Sequence, residues 1–487
     1  MAEEKVLCVG IDVSSRSLQV AYCDGAGTPV GRVQSFPNDA LGVASLCRAV
    51  ASTARTMGRQ VGVIAAVEST GDFHRLAARA LSEQTRLPVE VHVLNPREVK
   101  WFRKLELKDS KTDRVDAELI ARFLAKIRPQ PRAPMPQAFE ALQDATRTRR
   151  RCIEERTALK NRLHRLLRTH FPGYRQALGA KFSVRTLVVL AACPSPHDLL
   201  RRGVSRLAEL RNCDGKRIGP AFAQKVIALA KAALVRSLPA MARLSLQDAA
   251  ARILQLNRFL HGMDAAIAQE LDELFPNNVL LSVPGLGPVS VASILAEVGD
   301  IRRFPDKETF VGYCGLYPVA WESGDTRLRF RMTRKGNRML KMTLLVASAA
   351  ARQYNPAIRQ FYARLRARGK GKKAAGGAIA RKLAEIVWAV LTSNQPWSEE
   401  IALRGIARGE EMAEKRRGER RLTGDAAGQA PTEPERPHQP ATKTTGPAAP
   451  RSCAPRPDST ISKHNRKGIR TTNRRRAHPL TGGPISP

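Results

Sequence analysis

The first 128 residues alternate short apolar runs with stretches of helical periodicity. KVLCVGIDVSS, SLQVAYCD and TPVGRVQSFP read as three successive strands joined by short turns. A helix is expected over about 39–56, then a strand in GVIAAVES, a helix over about 72–84, a strand in VEVHVLNP, and helical stretches ending in TDRVDAELIARFLAKI. The order β-β-β-α-β-α-β-α predicts an α/β, RNase H-like N-terminal domain over residues 1–130, a mixed sheet with helices packed against it.

The proline-rich stretch IRPQPRAPMPQ interrupts this pattern and marks a boundary. Beyond it, apolar residues at helical spacing among basic ones predict a long helix from about 139 to 170, with a second over about 244–274 returning antiparallel to it. Residues 137–275 are therefore expected to form a helical, coiled-coil linker with an insertion. The inserted segment, 175–240, has short helical patterns and no recognisable chemistry. A mostly α C-terminal domain is expected over 277–397, with a glycine-rich, strand-like middle and helices around 336–352 and 374–392. From 405 to 487 the chain is rich in Pro, Gly, Thr and Arg and poor in aliphatics, which predicts a disordered basic tail.

Charge narrows the partners. In 487 residues there are 82 Lys and Arg against 44 Asp and Glu, a formal net charge of +38. Such an excess selects a polyanion, with nucleic acid ahead of an anionic membrane. No run approaches the roughly 18 apolar residues needed to cross a bilayer. The opening MAEEKVLCVG lacks a signal-peptide layout, so a cytoplasmic, nucleoid-associated protein is expected. The eight cysteines are scattered without a Cys-x-x-Cys pair or a neighbouring histidine cluster, which argues against zinc and against a disulfide framework.

Two of the strand-like runs, VLCVGID and VIAAVE, each deliver an acid at the end, Asp12 and Glu68. Asp113 and Asp116 share one face of the helix that follows by their i,i+3 spacing. In an RNase H-like sheet the first and fourth strands are neighbours, so the four acids would converge with the last helix laid across them. Four carboxylates at one point require cations, and hard oxygen donors suit Mg²⁺ or Mn²⁺. Two ions about 3.5–4 Å apart serve phosphodiester chemistry. Taken singly, each acid reads more readily as a turn, cap or helix-dipole residue, and only the set shifts the balance toward chemistry.

In the C-terminal region, Ser323 occupies a Ser-Gly turn before a basic strand containing Arg327. It is an ordinary turn residue or, if metals or a base activate it, a nucleophile whose phosphoserine link would conserve the phosphodiester bond for rejoining. PGLGPVSVASILAE, with Gly285 and Gly287, has the form of a helix-hairpin-helix that brings backbone amides to a DNA phosphate. An ordinary turn between packed helices explains it as well. Arg334, Lys335 and Asn337 form a second candidate phosphate cradle at a turn entering a helix.

Taken together, GIDVSS, VESTGDFH, VLNPREVKWF, KTDRVDAELIARFL, KNRLHRLL, SVPGLGPVSVASILAEVGD, the ESG turn and RKGNRMLK resemble, in order and over about residues 5–395, the insertion-sequence transposases with a DEDD, RuvC-like N-terminal domain. Members of that family act with a bridge RNA as serine-dependent recombinases. The resemblance implies Asp12, Glu68, Asp113 and Asp116 as ligands of two Mg²⁺ or Mn²⁺ ions and Ser323 as nucleophile. It further implies DNA and a non-coding bridge RNA as partners, and a homo-oligomer, dimer or tetramer, in which the carboxylate domain of one subunit works with the serine domain of another. The chain departs from the family in its tail after about residue 405.

Other readings use the same residues differently. A RuvC-like, metal-dependent, structure-specific endonuclease would use the carboxylates with water and leave Ser323 idle. DEDD exonucleases place Asp and Glu two residues apart in the first motif, whereas Asp12 is followed by Val13 and Ser14. Actin-like sugar kinases open with a similar strand but need a second phosphate loop and do not explain the charge. A non-catalytic nucleic-acid binder would keep only the basic surface.

Overall fold

The computed structural model describes residues 5–412, except 59, 70, 85–86, 107–111, 130, 132, 172–173, 175–178, 180, 213, 234–237, 324–325, 406 and 409–410; over 320–331 it describes the backbone alone. The basic tail expected over 405–487 therefore lies, beyond 412, outside the described residues.

The N-terminal region is a mixed five-stranded sheet in the order β3-β2-β1-β4-β5. Its strands are β1 (Val6–Val13), β2 (Ser17–Asp24), β3 (Gln34–Pro37), β4 (Gly62–Glu68) and β5 (Val89–Leu94). β1, β2 and β3 form an antiparallel meander, and β4 and β5 add in parallel on the other side of β1. The third strand is shorter than its apolar pattern suggests. Gly31 has φ +75°, which breaks the extended run into an isolated bridge of Pro29 to Cys23 of β2 and the strand Gln34–Pro37.

Period-two alternation gives the sheet two apolar faces. Leu7, Val9, Ile11 and Val13 of β1, with Val63, Ala65 and Val67 of β4, face helices α1 (Ala40–Met57) and α2 (Arg75–Ser82). Cys8 of β1 and Ala66 of β4 face the opposite way, toward α3 (Pro96–Leu105) and α4 (Asp113–Ile127). Helix α4 buries Leu119, Ile120, Phe123 and Leu124, each worth about 1.5–3 kcal/mol.

The second face is held unusually close at one point. A Cβ on Gly10 would lie 2.2 Å from both the Ala117 carbonyl oxygen and the Ala121 amide nitrogen, so the α4 backbone rests directly on β1. Alanines at 117 and 121, four apart, keep that side of the helix flat.

Two long helices follow, α5 (Gln137–His170) and, after α6 (Val184–Ala192), α7 (Pro196–Ala208) and α8 (Pro220–Lys231), α9 (Ala240–Leu274). Arg149 bonds Asp264, Arg156 bonds Asn257 at 3.1 Å and Arg162 bonds Ser245 at 3.2 Å. Partner numbers fall as α5 numbers rise, so the two helices run antiparallel. The three helices between them share an apolar core with one end of this pair.

The C-terminal region comprises α10 (Pro288–Val298), α11 (Lys307–Cys314), a separate hairpin of β6 (Pro318–Ser323) and β7 (Thr326–Met332), α12 (Arg338–Tyr354), α13 (Pro356–Ala367) and α14 (Lys372–Ser393). Its core takes in Leu142 of α5 and Ile267 and Leu271 of α9. Helix α5 is also clamped to the N-terminal sheet domain, through Arg75 to Asp144 at 2.6 Å and Arg79 to Glu140. Among the described residues no helix is long and apolar enough to cross a membrane, and the six described cysteines, at 8, 23, 47, 152, 193 and 314, are free.

Replacing Gly10 with alanine is expected to lift α4 from β1 and lower stability by about 1–3 kcal/mol or more, the usual range for overpacking. Urea unfolding checks this; an unchanged midpoint would show that α4 is not seated on the strand.

Candidate active site

Parallel pairing of β1 with β4 sets Ile11 opposite Val67, so the next residues, Asp12 and Glu68, lie side by side at the strand ends. Each is an even step from a residue on the α4 face, Cys8 and Ala66 respectively, so both carboxylates emerge on that face. Thr112 caps α4, its hydroxyl accepting from the Val115 amide, and the first turn carries Asp113 and Asp116 above the strand ends. The contact at Gly10 brings them down onto Asp12. All four carboxylates line one open cleft, together with Ser14, Pro96, Lys100 and Arg103.

The fourth wall is α3. Asn95 and Glu98 form a capping box at its start, with Pro96 at the first helical position, so the chain turns sharply from β5 into the helix. Phe102 packs edge-on against Phe123 of α4, ring centroids 5.4 Å apart. At its far end Glu106 pairs with Lys126 of α4 at 2.8 Å. This fixed packing turns Arg103 onto Asp116, which it bonds. Arg97, Lys100, Trp101 and Lys104 of the same helix are exposed, Trp101 by 55%. The alternation of cations with an aromatic residue along α3 is a sequence signal for nucleic-acid contact, one that VLNPREVKWF carries beside its family resemblance.

Burial, reinforced by the charges of Asp116, Asp113 and Glu68, pushes the Asp12 carboxyl up to about 7. Negative charge is thus concentrated beyond what the site tolerates alone. Among the described residues no three His, Cys, Asp or Glu side chains converge tightly enough to enclose one ion as they stand, and one of the four carboxylates, Asp116, is engaged by Arg103. The donor set still suits a hard divalent cation. Four carboxylates from three chain segments share one open cleft, and added positive charge would relieve the repulsion felt by Asp12.

The other candidates sit in the C-terminal region. Gly315 and Gly336 cross at the base of the β6–β7 hairpin. They have φ +68° and +98°, and a Cβ on Gly315 would lie 2.3 Å from the Lys335 carbonyl oxygen. The Thr333 amide donates to the Tyr317 carbonyl at 3.0 Å, and the Lys341 ammonium donates to the Thr333 carbonyl at 2.6 Å. From that base the hairpin runs to Ser323, the last residue of β6, where the pairing register shifts between Trp321 and Ser323. Arg327 lies on β7. The side chains of both Ser323 and Arg327 are outside the described residues.

Gly285 has φ +101°, and a Cβ there would meet Ala351 of α12 at 2.4 Å, so this glycine serves helix packing. Gly287 is exposed and precedes α10 with open space around it. Arg334 and Lys335 are exposed. Asn337 faces inward. Its carbonyl oxygen caps α12 at the Leu340 amide, 3.0 Å, and its amide donates to Glu297 at 2.7 Å. Glu297 is 2% exposed and also receives Arg147 at 2.7 and 3.0 Å, which locks α5, α10 and α12 together. The turn therefore does not bring Asn337 together with Arg334 and Lys335 on one surface.

Residues 9–172 match a transposase family of the DEDD, IS110 type, and residues 277–363 match the transposase IS116/IS110/IS902 family, together more than half of the chain. The chain carries IS110/IS116 family transposase domains. It is similar to the IS117 mini-circle protein of Streptomyces coelicolor, 27% identical over 417 residues, 82% of this chain and 96% of that protein. It is also similar to the transposase for insertion sequence element IS1111A of Coxiella burnetii, 25% identical over 63% of this chain and 73% of that protein. The pilin gene-inverting protein of Moraxella bovis is 30% identical over a shorter segment, 26% of this chain and 39% of that protein. The chain is thus a DNA transposase, an enzyme of strand cleavage and transfer.

In this transposase, Asn337→Ala is expected to cost about 2 kcal/mol of stability, because it removes a helix cap and a donor to buried Glu297. It should leave the salt dependence of DNA binding unchanged. Arg334→Ala and Lys335→Ala should do the reverse, each lowering the slope of log K against log salt by about 1 if it contacts phosphate. Chemical denaturation and DNA titrations over a salt series separate the two behaviours.

Proposed function

We propose that this transposase cleaves and rejoins DNA strands at insertion-sequence ends and target, with Asp12, Glu68, Asp113 and Asp116 as the metal-holding set and Ser323 as nucleophile. The observation that carries the reading is the single cleft shared by four carboxylates drawn from two strand ends and one helix turn. These residues would hold one or two Mg²⁺ or Mn²⁺ ions, which supply Lewis acidity at a phosphodiester. Beside the cleft, α3 exposes Arg97, Lys100 and Trp101, which suit a DNA strand: cations for phosphates and a ring face for an unstacked base.

Ser323 ends a strand at the tip of a hairpin braced at its base, which suits a residue that must reach a strand held elsewhere. A phosphoserine link would hold the bond energy of the cut phosphodiester until the new strand end displaces the serine. The bridge RNA and an oligomer, dimer or tetramer, in which one subunit's carboxylates work with another's serine, rest on the family resemblance. The net charge of +38 accords with more than one nucleic-acid strand per chain.

The deciding experiment incubates the full chain with element-end DNA, the adjoining non-coding RNA and Mg²⁺, and looks for a denaturation-resistant protein–DNA adduct. The adduct is expected with the unaltered chain and should fall at least about a thousandfold in Ser323→Ala and in Asp12→Ala, as for loss of a nucleophile or a metal ligand. Cleavage that survives Ser323→Ala but not Asp12→Ala would establish a water-using endonuclease instead. Activity independent of the RNA would remove the guide from the reading.

A further inference from the structure

Arg103 is bonded to a member of the carboxylate set, Asp116, and its placement is specific. Helix α3 is capped at Asn95 and pinned to α4 by Phe102 on Phe123 and by Glu106 on Lys126, so residue 103 is carried to the cleft by a rigid element. The guanidinium gives Nη2 to Asp116 Oδ1, while its Nη1 is buried without a hydrogen-bond partner. Asp116 is itself buried. A positive charge against a buried carboxylate beside three others offsets part of their repulsion, and Arg103 supplies one.

A guanidinium on Asp116 and a divalent ion on the same carboxylate are like charges a few ångströms apart, so each weakens the other's hold and the two compete for it. Accepting the carboxylate cleft as the metal site, on which this inference rests, we infer that Arg103 is an exchangeable counter-cation. It holds Asp116 until a divalent ion takes its place, and the released guanidinium then turns to a phosphate of the DNA strand in the cleft. Its planar fork suits a phosphodiester, and Nη1 already has capacity to donate that Asp116 does not use. Exchange of this kind couples the arrival of metal to the capture of DNA. Arg103 is thereby a positioning residue, placing the strand where the ion-bearing carboxylates meet it.

The test titrates Mn²⁺ into the full chain by calorimetry, with Arg103→Ala, Arg103→Lys and Asp12→Asn in parallel, and records the metal-induced rise in melting temperature. Unaltered protein should bind Mn²⁺, and Asp12→Asn should bind it far more weakly. Arg103→Ala should bind it about tenfold more tightly, because no resident cation must be displaced. That variant should melt below the unaltered chain in chelator and recover most of the difference with Mn²⁺. Arg103→Lys, which keeps the charge, should fall between the two.

In a second readout with a short element-end duplex, Arg103→Ala should weaken DNA binding in Ca²⁺ and leave it unchanged in chelator. Mn²⁺ affinity equal to or below that of the unaltered chain in both Arg103 variants would overturn the exchange while leaving the metal site standing. Binding insensitive to Asp12→Asn would overturn the metal site, and the exchange with it.

Discussion

The N-terminal half of the transposase depends on one missing side chain. Gly10 lets the backbone of α4 settle on β1 at a separation that any Cβ would forbid, 2.2 Å from Ala117 and Ala121 backbone atoms. That contact does more than pack a helix. It fixes the height and rotation of α4 over the sheet, and so decides that Asp113, one turn before Ala117, and Asp116, the residue next to it, hang over the ends of β1 and β4. A larger residue at position 10 would raise the first turn of α4 and spread the carboxylates apart. Packing and chemistry are therefore joined at a single backbone contact in the middle of a strand.

What this contact achieves works against stability. It concentrates four like charges, and Asp12 registers the strain as a carboxyl pushed up to about 7 by burial and by its three neighbours. The fold tolerates this because α3 brings Arg103 against Asp116, and because the cleft is open rather than enclosed. Frustrated charge beside an exposed, basic, aromatic helix is the opposite of what a stability-driven core would assemble. It accords with the phosphate chemistry proposed for the cleft.

The C-terminal region solves a different problem, bracing an extended hairpin at one end only. Gly315 and Gly336 cross where β6 leaves and β7 returns, both in left-handed conformations, and Lys341 and Thr333 tie the same point to α12. Beneath it, buried Glu297 gathers Arg147 and Asn337, so the long helix α5 and the hairpin base share one polar anchor. Because α5 is also clamped to the sheet domain through Arg75 and Arg79, it is the element common to the carboxylate and serine regions.

Much of this was legible in the chain. Alternation with period two placed the strands, helical periodicity placed α1, α4, α5, α9, α12 and α14, and acids at the ends of two apolar runs marked Asp12 and Glu68. These are local signals, carried by residues near one another in sequence. The i,i+3 spacing of Asp113 and Asp116 is local in the same sense. Arg103 was not legible, because its role depends on α3 packing against α4, a contact between helices whose side chains carry no periodic mark of partnership. Nor was the inward turn of Asn337, since an asparagine before a helix looks the same whether its amide meets a phosphate or a buried glutamate 40 residues earlier in the chain. The sequence by itself determined which segments become strands and helices and which residue types stand at their ends, because those follow from short-range periodicity and capping. Only the tertiary structure decided which of those ends meet and which polar groups are satisfied within the protein, because that depends on how closely two backbones approach, at Gly10 above all.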